Sequence, residues 1–137
     1  MAFETKKLTR DNIELFEAVL TQYDIHDSVI LDQSFDRERR ILNVNTENRY
    51  HRSKMDFEFS GVKMVLFDFA NYYISELEIN TVVASKDVSA FLSMSSFHNG
   101  IENCIDVCFE LFEGYLLHII AENVILTWWI DTESISG

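Results

Sequence analysis

Cys104 to Ile130 reads CIDVCFELFEGYLLHIIAENVILTWWI, three apolar runs divided by Glu113-Gly114 and Glu122-Asn123. Each run is short and rich in β-branched or aromatic residues, so the pattern predicts three strands joined by two tight turns. That arrangement is a meander. With two-residue loops, Phe112 pairs with Tyr115 and Ala121 with Val124. One face then carries Ile105, Val107, Phe109, Leu111, Leu116, Ile120, Ile125 and Trp129, the expected core. The other carries Asp106, Cys108, Glu110, Tyr115, Leu117, Leu126, Trp128 and Ile130, too apolar to be fully solvated and expected to be half covered.

Upstream of this stretch, residues 1 to 8 lack a pattern and are expected to be a frayed start. Thr9 suits the cap of a helix running to about Tyr23, because Asp11 and Glu14 favour the first turn. Ile13, Phe16, Val19, Leu20 and Tyr23 form its apolar stripe, which would pack on a sheet. Its acidic polar face argues against a membrane helix. Alternation predicts strands over 28–36, 40–46, 54–60 and 62–69. The clearest sets Met55, Phe57 and Phe59 against Asp56 and Glu58. Residues 72–84 read as helix or strand in their first half and as strand in their second, and Ser85 suits the cap of a short helix over 87–94. The expected fold is therefore a single α+β domain over 1–137, with an N-terminal helix packed on a mostly antiparallel, curved β-sheet that ends in a three-strand meander.

The chain has 137 residues, 47% of them hydrophobic, enough to bury a core without a staple. No apolar run reaches the length of a membrane span, and Asp11, Glu14 and Glu17 interrupt the place where a signal sequence needs an apolar run. A soluble, cytoplasmic protein is expected. Cys104 and Cys108, four residues apart on one strand, would lie about 13 Å from each other, too far for a disulfide.

All eleven Lys and Arg lie at or before Lys86, whereas residues 87–137 hold eight carboxylates, and the formal net charge is -12. A field of that sign repels nucleic acid and anionic membrane and attracts a basic protein. Glu102, Asp106, Glu110, Glu113 and Glu122 are the expected partner-binding residues, since turns and the polar side of a meander are exposed. Arg37, Arg39, Arg40, Arg49, Arg52 and Lys54, with Tyr50 and His51, form a basic group that suits local pairing with acids better than nucleic acid, given the net charge.

Signatures of catalysis are missing. There is no Gly-rich phosphate loop, no H-E-x-x-H, no G-x-S-x-G and no C-x-x-C, and His26, His51, His98 and His118 lack metal-ligand spacing. No metal or cofactor is therefore expected. His118 falls on the apolar face, opposite Phe109 and Thr127, as a core histidine bonded to Thr127 or to backbone. Cys108 then points to the opposite face, which excludes a Cys-His dyad unless the first turn has three residues. Asp106 and Glu110 are about 13 Å apart, too far for a glycosidase pair.

The short helix, His26-Asp27-Ser28-Val29-Ile30, the polar hairpin, Phe57-Glu58-Phe59-Ser60-Gly61-Val62 and the closing apolar stretch together carry a resemblance. The chain resembles small acidic bacterial proteins of unassigned function, among them groups taken as immunity proteins of polymorphic toxin systems. The resemblance implies a non-enzymatic binding protein that blocks a toxin, with no catalytic residues. Two other classes stay open. One is a small-ligand binder using an apolar site at Tyr115 and Trp128, marked by a deep cavity there. The other is an enzyme, marked by convergent polar groups with shifted pKa values.

Overall fold

The computed structural model describes residues 2–22, 25–50, 52–68, 77–94 and 100–130. Within them lie nine strands and one short α-helix: β1 (Ala2–Thr9), α1 (Phe16–Gln22), β2 (Val29–Asp36), β3 (Ile41–Asn48), β4 (Ser53–Ser60), β5 (Met64–Asp68), β6 (Ile79–Ser85), β7 (Ile105–Leu111), β8 (Leu116–Ala121) and β9 (Asn123–Ile130). They build a five-stranded sheet, order β1-β9-β4-β3-β2, and a four-stranded sheet, order β5-β8-β7-β6. Every named pairing is antiparallel.

This overturns the expected α+β class: the chain is mostly β, and its helix is a seven-residue element rather than a cover for the sheet. Two local facts account for the error. Residues expected to fray form β1, paired with β9 along its length. As an edge strand β1 exposes Glu4, Thr5, Lys6 and Lys7 and buries Leu8, so no alternating apolar pattern announces it. The helix begins late. Asn12 Oδ1 accepts the Thr9 N–H at 2.7 Å, a 3-10 turn follows at Ile13–Leu15, and the α-helical part starts only at Phe16.

The three-strand meander is also corrected. β7 and β8 form a hairpin, but β8 and β9 belong to different sheets. Ser60 of β4 pairs with Asn123 of β9, and beyond that pair both chains turn together into the second sheet, where Met64 of β5 faces Ile120 of β8. The Glu122 N–H donates to Ser60 O at 3.1 Å and the Lys63 N–H to Ile120 O at 2.8 Å, so the ladder bends without losing its bonds. Gly61 makes the inner bend at φ +63. On the other side, the Ile79 N–H donates to Ser28 O and the Ile30 N–H to Leu77 O, tying the start of β2 to β6.

The turn between β7 and β8 decides which side chains enter the core. It has three residues, Phe112–Gly114, closed by the Leu111 N–H donating to Tyr115 O at 2.9 Å, with Gly114 at φ +85. A glycine in the left-handed region at the third loop position is what such a loop needs. One residue more than the two assumed shifts the register by one, and every side chain of β8 changes face. Ile105, Val107, Phe109 and Leu111 still point inward, but they are joined by Leu117, Ile119, Val124, Leu126 and Trp128. Trp129 and Ile125, expected in the core, lie half-buried on the outer face. Between the sheets the Phe109 ring meets Phe57 edge to face, centroids 4.9 Å apart, while Phe57 and Phe59 stack at 6.2 Å.

A second, smaller cluster covers part of the outer face of the four-stranded sheet. Phe91 in the 3-10 turn at Ser89–Met94, Val88 just before it, Ile101 and Cys104 pack over Ile120 with Met64 and Leu66. The basic residues of the early hairpins are divided. Arg37, Arg39 and Arg40 sit in the β2–β3 turn, Arg49 and Arg52 in the β3–β4 turn at the other end of β3. His51, His98 and residues 72–76 lie outside the described residues. None of the described helices is long and apolar enough to cross a membrane.

Candidate functional site

Because β8 is shifted by one residue, His118 stands across from Cys108 on the outer face of the β7–β8 hairpin. Its Nε2 lies 3.7 Å from Cys108 Sγ, and its Nδ1 lies 3.1 Å from both Asp106 oxygens. Phe91 covers the ring, centroid to centroid 5.2 Å. The order carboxylate, imidazole, thiol matches the connectivity of a nucleophile triad. The electrostatics do not match. Burial pushes the Cys108 thiol up to about 12, and Asp106 and Glu110 add to the shift. Burial also pushes the Asp106 carboxyl above its usual range, a shift that His118 only partly opposes. In the tautomer that places Nδ1–H toward the Asp106 carboxylate, Nε2 is free to accept from the Cys108 thiol, so the three groups form one hydrogen-bonded chain. Carboxylate and thiol engage different ring nitrogens, so the three groups do not converge on one point where a metal ion could sit.

The expected partner-binding acids fall into smaller groups, Glu102 and Glu122 both near Cys104 and Asp106 and Glu110 both beside Cys108. Glu102 is exposed in the 3-10 turn at Ile101–Asn103. Asp106 is spent on His118, with 12% of its side chain exposed. Glu110 is half-buried on the outer face of β7, and Glu113 lies in the hairpin turn. Glu122 is at the corner, 3.9 Å from Lys63 Nζ and far from Glu113 at the other end of β8. Tyr115 and Trp128 are 3% and 6% exposed and belong to the core, which removes them as an apolar ligand site. The burial of Tyr115 follows from the same register shift, and that of Trp128 from the pairing of β9 with β4, where it stands across from the buried Met55.

A groove of about 440 Å³ lies elsewhere, between α1 and β6. Ile13, Phe16, Ile25 and Val82 form its buried, apolar part. Glu14 and Glu17 stand exposed on the helix side, with Asn80 and Val83 exposed on the strand side. No Lys or Arg borders it among the described residues. The helical spacing of the apolar stripe and the acidity of its flank were legible in the sequence. The pairing of that helix with a strand more than fifty residues later was not, because nothing local encodes it. Comparison with known proteins adds no likeness: no family model, curated protein or solved structure matches the chain.

Proposed function

We propose that this chain is a non-enzymatic binding protein whose acidic surface meets a basic protein, in the manner of an immunity protein that blocks a cationic toxin. The observation that supports it is where negative charge remains uncompensated. At a net charge of -12, the exposed carboxylates of Glu14, Glu17 and Glu102 have no ion pair among the described residues. Burial, which raises the Cys108 thiol, weighs against nucleophilic chemistry at that residue.

The partner is best sought as the product of the adjoining gene, since an immunity protein acts on a toxin made beside it. Coexpression should relieve that product's toxicity and yield a complex whose association slows several-fold when salt shortens the Debye length from about 30 to about 10 Å. An acidic partner, or association indifferent to salt, would refute the proposal.

A further inference from the structure

We propose that the groove between α1 and β6 takes a Lys- or Arg-rich segment of the partner in extended form, hydrogen-bonded to the edge of β6 as an added strand. This rests on the binding role proposed above and specifies its site and mode.

The groove faces the edge of the strand rather than one of its faces. The register shifts at Asn80, but Thr81 to Ala84 pair regularly with β7 and border the groove consecutively, although neighbouring side chains of a regular strand point to opposite sides. Only an approach from the edge meets all of them. Up to Ile79 that edge is occupied: the Ile79 N–H donates to Ser28 O at 2.7 Å and Ile79 O accepts from the Asp27 N–H at 2.9 Å. Beyond Ile79, β6 has β7 on one side and no strand on the other among the described residues. The exposed stretch spans about 13 Å, and a segment of similar length could continue the ladder.

The helix side supplies selectivity. Ile13, Phe16 and Leu20 recur with helical spacing and give the groove an apolar wall, while Glu14 and Glu17 flank it. Alternate side chains of an added strand therefore meet two surfaces, one apolar and one anionic. A segment alternating apolar and cationic residues fits both. An acidic segment would meet the like charge of Glu14 and Glu17; the nearest cations, Arg10 and Lys86, stand beyond the C-terminal end of β6, where Arg10 Nη1 donates to Lys86 O.

The test uses the full chain and labelled octapeptides read by fluorescence anisotropy: alternating Lys-Val, alternating Glu-Val, and two Lys-Val forms N-methylated on either the lysines or the valines. Lys-Val should bind in about 0.01 M salt, and Glu-Val should bind at least about tenfold more weakly. One N-methylated form should lose binding, because each methylation pattern removes the N–H groups of one strand edge. The exposed double substitution Glu14→Lys/Glu17→Lys should weaken Lys-Val by at least about tenfold. If both N-methylated peptides bind like the parent, strand addition is wrong while cationic binding stands. Binding that ignores the double substitution overturns the groove as the site, as does absence of Lys-Val binding, and the complex with a basic protein then stands or falls on its own test. A dimer that saturating Lys-Val does not dissociate would put a second copy of the chain on this edge and overturn the proposal.

Discussion

His118 Nε2 lies 3.7 Å from Cys108 Sγ across the β7–β8 hairpin, on the face opposite the core. Because burial and neighbouring carboxylates raise the thiol from 9.0 to about 12, its thiolate fraction at neutral pH falls on the order of a thousandfold. Iodoacetamide at pH 7 should label Cys108 far more slowly than a free cysteine, and the unfolded chain should label at the ordinary rate. The folded form holds the proton more tightly than the unfolded chain, so this group's contribution to stability is intact below pH 9 and is lost as pH rises toward about 12. Labelling at or above the free-cysteine rate would mean that His118 holds a thiolate, and nucleophilic chemistry would return to the hairpin.

The register of β9 can be read by fluorescence. Trp128 is 6% exposed in the core and Trp129 lies half-buried on the outer face. Trp129→Phe should therefore leave a blue-shifted emission that acrylamide quenches poorly. If the remaining tryptophan is instead readily quenched, β9 turns its other face, with Ile125 and Trp129, to the core.

Most strand positions were legible, whereas the fold class and the division into two sheets were not, and they were lost at identifiable places. Met55, Phe57 and Phe59 alternate in the sequence and are fully buried in β4, because that strand is central and has one solvated face. β2, β3, β5, β6 and β7 fall within a few residues of where alternation put them. The hairpin turn failed because Glu113-Gly114 serves a two-residue loop as well as the end of a three-residue one, and only Gly114 at φ +85 distinguishes them. Glu122-Asn123 failed because a corner between sheets and a hairpin demand the same polar break. Of the expected site, the acids were visible as composition, but their grouping depended on tertiary contacts, such as Lys63 with Glu122 and His118 with Asp106, that no spacing encodes.

Gly61 should be the least replaceable of the described glycines. It sits at φ +63, and a Cβ there would lie 2.6 Å from Glu122 Cδ, whereas Gly100 and Gly114 have open space around them. Gly61→Ala should destabilise by about 1–2 kcal/mol in urea unfolding. Removing the Glu122 side chain as well should recover the steric part and leave the backbone strain. A neutral Gly61→Ala would show that the corner is made differently.

Amide hydrogen exchange across β6, with and without the saturating Lys-Val octapeptide, tests most directly whether a cationic segment docks on this edge. The amides of Asn80 to Ala84 that point away from β7 should slow by at least about tenfold, while the edge of β1 stays unchanged. Unaltered exchange along β6, or protection at β1 instead, would contradict the account.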